Sequence, residues 1–537
     1  MQLFKNIREL MAYTLENHKK KTAFVIKVKD GEYEEKSYEQ MYRDVLALAC
    51  YIADKGLYKK PVAFIGNNCY EWCVALYGIL YAGAIAVPLD NKLPQQEVEG
   101  LLTRSDAKAV IYTKNHQETI EKLDIPTKIL IGGTDANSFC EVLRESGNLP
   151  EKFEPIDENE LAILMFTSGT TSASKGVLLT QRNLLSNTRD LCDVVDFSKN
   201  HTYLSVIPLH HSFGIGATTL FVANGVKTVF PEGLRVAQAL TEYNVTLLVL
   251  VPAILNLMYK KVQREIEKKG KTKTVNIAIK VSRALRKIGI DVRRKLFKDI
   301  LEGLGPSVRL IISGASALDG KVNEFFNDIG IDLIQGYGLS ETAPVVSAER
   351  VGRQKTGSVG YPMASNIVEI HEPDEKGIGE IIVKGPNVFL GYFENAEETE
   401  KVLKDGWFFT GDMGYIDDDG FIFITGRKKN VIVLSNGKNV FPEELEQKID
   451  ELNGVKENIV FLKEINEKEM LCARIVYDTS VFEDKATAER ELGQQIQTLN
   501  QSLVTYKQIK KISLTDEAME KTTTAKIKRA EELKKEI

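Results

Sequence analysis

Runs of consecutive apolar residues return at intervals through the first two-thirds of the sequence, interleaved with stretches of helical spacing. They are PVAFIGNN (61–68) followed by YEWCVALYGILYAG (70–83), KAVIYT (108–113), YLSVIPL (203–209), TLLVLVP (246–252), VRLIISG (308–314) and DLIQGYG (332–338). Such runs do not alternate apolar with polar residues, so they read as strands buried on both faces, the pattern of largely parallel sheets flanked by helices. The expected class is α/β. From about Gly357 the texture changes to short strands between glycine turns, IVEIHE, EIIVKG and DGFIFITG, which predicts a β-rich subdomain over about 350–428. After GRKKN (426–430) a further helix-and-strand set begins, FPEELEQKIDEL, IVFL and ARIVYD. The domain boundaries expected are therefore 1–428 for a large N-terminal domain and 429–537 for a small C-terminal α/β domain.

One segment raises the question of a membrane span. Trp72 to Leu89 carries no charge, but Gly78, Gly83 and Pro88 interrupt it, and it reads as a buried helix followed by a short buried strand. The N-terminus, MQLFKNIREL, lacks the apolar core of a signal peptide. Six scattered cysteines, with only Cys69 and Cys73 close together, predict reduced thiols and a cytoplasmic setting, not a zinc site. A formal net charge of −5 gives no nucleic-acid signature. The exception to the acidic balance is the basic stretch from 260 to 298. It reads as a solvated helical surface or as an amphipathic patch, Val281, Ala284, Leu285 and Ile288 beside Arg283, Arg286 and Lys287, for peripheral contact with an anionic membrane.

FTSGTTSASKGV (166–177) follows the strand-like run Leu161 to Phe166 and is too rich in hydroxyls for a core. A Walker loop counted from Gly169 needs glycine at 174 and a hydroxyl at 176, where Ser174 and Gly176 stand. Hydroxyls, glycine-exposed amides and one cation beside a strand end still suit an anion; a flexible linker is the competing reading. Three other segments carry polar residues in glycine-rich turns: GYGLSETAP (336–344), GWFFTGDMGYIDDDGFIFITGRKKN (406–430) with SNGKNVFPEELE (435–446), and KTTTAKIKR (521–529). Each alone is equally a capped turn or an exposed ion pair.

Together and in this order, these motifs closely resemble the adenylate-forming superfamily of acyl-CoA synthetases, peptide-synthetase adenylation domains and beetle luciferases, from about Thr22 to Arg529. DGWFFTGD, NGKNVFPEELE and the basic insertion after VPAILNLMYK resemble the fatty-acyl-CoA synthetase branch. The resemblance implies that Thr167, Ser168, Gly169, Thr170, Thr171 and Lys175 wrap the β- and γ-phosphates of ATP. It implies Glu341 as the Mg²⁺ ligand, Thr342 as a donor to the α-phosphate, and Tyr337 against the adenine with Gly314, Ala315 and Gln335 nearby. By the same matching, Asp412 accepts the ribose hydroxyls with help from Arg427, and His211 flanks the carboxylate site while His210 packs. Lys526 is the implied catalytic lysine, Lys429 the hinge of a mobile C-terminal domain, and Gly437 the glycine that pantetheine passes. The acyl group is expected near Phe213 to Thr219 and Gly314 to Leu318.

The implied reaction activates a medium- or long-chain fatty acid to acyl-AMP with ATP and Mg²⁺, then transfers the acyl group to CoA. Two anions must meet in the first step, which is why a metal and a lysine are needed there. An acyl carrier protein is the alternative acceptor, although the short stretch from Pro344 to Asp412 leaves little room for a rotation-blocking insertion. Ser172, Ser174 and Ala525 depart from the family pattern and would suit a non-catalytic nucleotide-binding regulator, but Glu341, Asp412, Arg427 and Lys526 are all in place.

Overall fold

The computed structural model describes residues 4–535 apart from 30, 133–136, 168–173, 198–199, 232–234, 436–437, 466–467 and 522–526. The chain divides into two compact units. The first holds residues up to 367 together with 383–408, and the second holds 368–382 and everything from 409. The boundary expected after residue 428 falls inside the second unit.

The first unit is built on two sheets. Among the described residues, one orders seven strands as Gly391–Tyr392, Lys175–Thr180, Leu161–Thr167, Ile85–Leu89, Pro61–Ile65, Ala109–Thr113 and Thr127–Ile131. The last five of these run parallel, and Lys175–Thr180 turns back antiparallel along Leu161–Thr167. The other sheet has nine described strands with a parallel centre formed by Thr22–Lys29, Lys227–Val229, Thr202–Leu204, Leu247–Leu250, Leu310–Ser313 and Asp332–Gly338. Val345–Ala348 and Tyr361–Pro362 extend it antiparallel beyond Asp332–Gly338. The unbroken apolar runs are the buried strands, as their lack of alternation requires.

The uncharged stretch from Trp72 to Leu89 is the helix Tyr70–Ala82 followed by the strand Ile85–Leu89. The helix is buried all round, between the sheet and helix Tyr38–Asp54, with Trp72, Val74, Leu76, Ile79 and Leu80 in one core with Leu48 and Ile52. Gly83 ends it at φ 76°, its N–H donating to Leu80 O, and an added Cβ would lie 2.8 Å from the Tyr58 ring. Only glycine meets both conditions. Among the described residues no helix is long and apolar enough to cross a membrane.

In the second unit, Asp412 to Ile416 pair antiparallel with Ile422 to Arg427. Further on, Val455–Ile465, Lys468–Tyr477 and Lys511–Thr515 form a sheet under the helices Pro442–Asp450 and Lys485–Gln501. Leu445 and Ile449 on one helix, and Ala488, Leu492 and Ile496 on the other, recur at helical spacing and bury against Val460, Ala473 and Ile475.

Two glycines of the first unit separate backbone conformation from space. Gly352 and Gly360 both have positive φ, 79° and 82°, but a Cβ on Gly352 meets nothing within 4 Å, whereas on Gly360 it would lie 2.0 Å from the Ala348 backbone. Gly352→Ala should therefore cost about 1 kcal/mol and Gly360→Ala at least ~3 kcal/mol, because a sheet strand must move. Thermal unfolding of the two variants checks this; equal midpoints would contradict it.

Candidate active site

Strands buried on both faces disfavour charged side chains, so these gather near the strand ends. Three residues after Ile65, Asn68 donates from Nδ2 to Ile207 O (2.7 Å) and accepts from Leu209 N (3.0 Å). It pins the segment PLHHSFG, which opens the helix Ser212–Ala223. In that segment the rings of His210 and His211 lie 4.1 Å apart, and His210 Nε2 is 3.5 Å from Asp90 Oδ2. Ser212 Oγ is 3.2 Å from Ser340 Oγ, and the Phe213 ring covers Gly314, where a Cβ would come within 3.1 Å of it. The His211 segment, Gly314 and the turn that carries Glu341 are thus brought together. Ala315, exposed at φ 75°, holds a left-handed conformation that disfavours any side chain by roughly 1–2 kcal/mol, a strain typical of functional loops.

The turn after Asp332–Gly338 doubles back tightly. A Cβ on Gly338 would lie 1.8 Å from Pro344 O, so that position is restricted to glycine. Thr342 is fully buried; its hydroxyl accepts from Leu339 N (3.0 Å) and donates to Pro344 O (2.7 Å). Thr342, expected as a donor to the α-phosphate, thus braces the turn, and the half-buried hydroxyl beside Glu341 is that of Ser340. Glu341 Oε1 accepts from the Tyr392 hydroxyl at 2.8 Å, and Glu341 O accepts from Phe389 N at 2.9 Å.

Tyr392 joins this turn to Lys175. The Lys175 ammonium sits 4.9 Å above the Tyr392 ring and donates to Glu398 Oε2 at 2.7 Å. Hydrogen bonds from Lys175 and then Lys401 hold the Glu398 carboxyl down at about 2. Thr167, the last residue of its strand, faces Lys175 across the antiparallel pair and donates to Lys175 O at 3.3 Å. Both ends of the hydroxyl-rich loop are accordingly fixed. Ser168, Gly169, Thr170 and Thr171 within it lie outside the described residues, as do Gly437 and Lys526.

Deeper in the sheet, Gln335 is buried, and Tyr337 lies opposite Ser347. Gln335 N donates to Glu349 Oε2 (3.0 Å), and Glu349 N donates back to Gln335 O (2.8 Å). Glu349 is fully buried, and burial pushes its carboxyl up to about 7 against the pull of donors from Gln335, Asn323 and Lys355.

In the second unit, Asp412 and Arg427 are register partners, and Arg427 Nε reaches Asp412 Oδ1 at 2.8 Å. Asp412 is 5% exposed, and Arg427 Nη1 also donates to Thr410 O. Lys429 is exposed in the single turn Lys428–Asn430, between Lys428 bound to Glu380 (2.7 Å) and Asn430 bound to Glu443 (2.6 Å). Asn68, Glu349, Tyr392 and Glu398 were not among the sequence candidates. FENAEET does show the cap by which Asn395 accepts from Glu398 N, but nothing in it names a lysine 223 positions earlier.

Residues 11–393 match the family model described as AMP-binding enzyme, and residues 429–535 match the AMP-binding enzyme C-terminal domain. A long-chain-fatty-acid–CoA ligase of Bacillus subtilis is 28% identical over 474 residues, 79% of this chain and 78% of that protein. A chloroplastic long-chain-fatty-acid–[acyl-carrier-protein] ligase of Arabidopsis thaliana is 26% identical over 497 residues, 76% and 68% of the two chains. The solved structure of an anthranilate CoA ligase in complex with anthranoyl-AMP shares the fold, with a TM-score of 0.80 at 21% identity over 100% of this chain and 98% of that one.

The proton on Glu349 is held more tightly in the folded chain than in the unfolded one. Its stabilising contribution is therefore complete below the ordinary value of 4.5 and is lost as pH rises through about 7. Thermal unfolding from about pH 5 to about pH 8 should show wild type losing stability more steeply than Glu349→Gln; parallel profiles would contradict a protonated Glu349.

Proposed function

This chain belongs to the AMP-binding enzyme family and is an AMP-forming acyl-CoA synthetase, from which premise we propose that its acid is a medium- or long-chain fatty acid and that its reaction runs at the strand ends around Lys175, Tyr392 and Glu341. The observation that carries this placement is Tyr392 itself, whose hydroxyl meets Glu341 while its ring lies beneath Lys175. A cation and a hard oxygen ligand are gathered on one side chain, as a polyphosphate and its metal require.

Glu341 fits a phosphate-bound Mg²⁺. Such an ion takes one or two carboxylates and completes its shell with phosphate and water. Among the described residues one Glu341 oxygen accepts from Tyr392 and the other has no hydrogen-bond partner, and no group of three or more His, Cys, Asp and Glu stands ready to cage a metal alone. When bound, the ion neutralises phosphate charge.

In the first half-reaction an oxygen of the acid attacks the α-phosphorus of ATP. The bond to the oxygen bridging the β-phosphorus breaks, and pyrophosphate leaves with that electron pair. Lys175 holds the outer phosphates once it has left Glu398, and Ser340 offers its hydroxyl next to Glu341. Gln335 and Tyr337 line the adenine side, with the Gln335 backbone braced by Glu349. Asp412, its position fixed by Arg427, accepts from the ribose hydroxyls, and Lys526 stabilises the charge building on the α-phosphate. In the second half-reaction the CoA thiolate attacks the acyl carbonyl and AMP departs. Lys429 absorbs the backbone change between the two, and Gly437 lets pantetheine pass.

The fatty chain is supported by the names of the relatives. A carrier protein as acceptor is the second reading, favoured by the plant relative. The six free cysteines support a cytoplasmic setting.

Mass spectrometry of products from purified protein, ATP, Mg²⁺ and a chain-length series of acids, with and without CoA, tests this. Acyl-CoA and AMP should form with CoA and peak at a medium or long chain. A peak on an aryl or short acid would overturn the fatty-acid reading, and acyl-AMP that persists with CoA would favour the carrier protein.

A further inference from the structure

The helix Thr272–Lys287 packs through one face only. Val275, Ala278 and Ile279 lie against the core of the first unit, and Ser282 is buried beneath them. A surface helix ordinarily turns polar side chains to water on its other face. Here the outer face carries Ile277, Val281, Ala284 and the capping Ile288 at spacings of three and four, and Ile277 and Ile288 are 62% and 70% exposed. Beside that stripe, at intervals of one heptad, stand Lys273, Lys280 and Lys287, none of which has an ion-pair partner among the described residues. Between 268 and 290 the sequence holds eight Lys and Arg and no Asp or Glu.

The basic residues expected to serve this surface are only partly those that do. Arg283 turns to the protein, donating from Nε to Asp328 Oδ1 at 2.8 Å and from Nη2 to Glu324 Oε2 at 3.2 Å. Leu285 is half-covered. The free elements are therefore the stripe from Ile277 to Ile288 and its lysine flank.

We propose that this helix face is a docking surface for an anionic phospholipid bilayer, its apolar stripe entering the headgroup boundary while Lys273, Lys280 and Lys287 meet lipid phosphates. Charge complementarity selects this occupant. The whole chain is net negative, so an anionic surface is drawn to this patch against the overall balance. A nucleic-acid backbone would use the lysines but leave Ile277 and Ile288 in water. A second copy docked on the same stripe would bring like-charged lysine flanks together.

Vesicle binding is read without turnover, so the test is independent of which acid the enzyme activates. Co-sedimentation is measured with vesicles of phosphatidylcholine alone and of phosphatidylcholine mixed with phosphatidylglycerol. Wild type should bind the mixed vesicles and not the neutral ones, and should be released by salt. Lys273→Gln, Lys280→Gln and Lys287→Gln together should weaken binding roughly a hundredfold, about fivefold per lysine. Ile277→Ser with Ile288→Ser should weaken binding as well, and both variants should keep the wild-type unfolding midpoint because the side chains are exposed. Equal binding to both lipids, or binding that survives both variants, would overturn the proposal. So would a serine variant that changes only a monomer–dimer equilibrium in sedimentation velocity, which would make the stripe an interface between copies.

Discussion

Burial of the two large sheets on both faces is the constraint from which the rest of the first unit follows. A strand such as Pro61–Ile65 or Leu310–Ser313, covered above and below, cannot hold an unpaired polar side chain without a cost of roughly 1–3 kcal/mol. Polar groups are displaced to the first residues beyond the strands. Asn68, Ser340 and Glu341 stand beyond their strands, and Lys175 stands at the first position of its own. The chemistry sits where the sheet physics leaves room for it, on loops held by a rigid frame.

In each unit, charged side chains of the candidate site are paired within the chain itself. Lys175 is paired with Glu398 and rests on an aromatic ring, and Asp412 is paired with Arg427 at 2.8 Å. A polyphosphate approaching Lys175 competes with one half-buried carboxylate, open to solvent on one side, for a cation already in position. Pairs in contact with solvent are worth only about 0.2–1 kcal/mol, so the exchange costs little. Glu349 shows the opposite regime: fully buried, it braces the Gln335 backbone and keeps its proton toward neutrality because burial disfavours its charged form.

The sequence made local structure legible and long-range pairing much less so. Unbroken apolar runs announced the parallel strands, and Gly83 and Pro88 showed why Trp72 to Leu89 is a helix and a strand. Family resemblance named Glu341, Asp412 and Arg427 as candidates. It did not lead to Tyr392 or Glu398, because the contacts that matter span 51 and 223 positions and depend on how Gly391–Tyr392 lies along Lys175–Thr180. Thr342 illustrates a different limit: a hydroxyl in a glycine-rich turn reads as a donor to a ligand until the reversal at Gly338 encloses it. Likewise the basic stretch gave the charge of helix Thr272–Lys287 but not its orientation, and so assigned Arg283 to a surface it does not serve.

The central claim is that Lys175, released from Glu398, holds the phosphates of ATP. Equilibrium binding of ATP with Mg²⁺ to wild type, Lys175→Ala and Glu398→Gln tests it most directly. The account predicts at least a roughly tenfold loss of affinity for Lys175→Ala, about the value of one charge-assisted hydrogen bond. For Glu398→Gln it predicts a gain of up to about fivefold, the worth of the competing pair. Unchanged affinity in Lys175→Ala, or a loss in Glu398→Gln as large as that in Lys175→Ala, would contradict it.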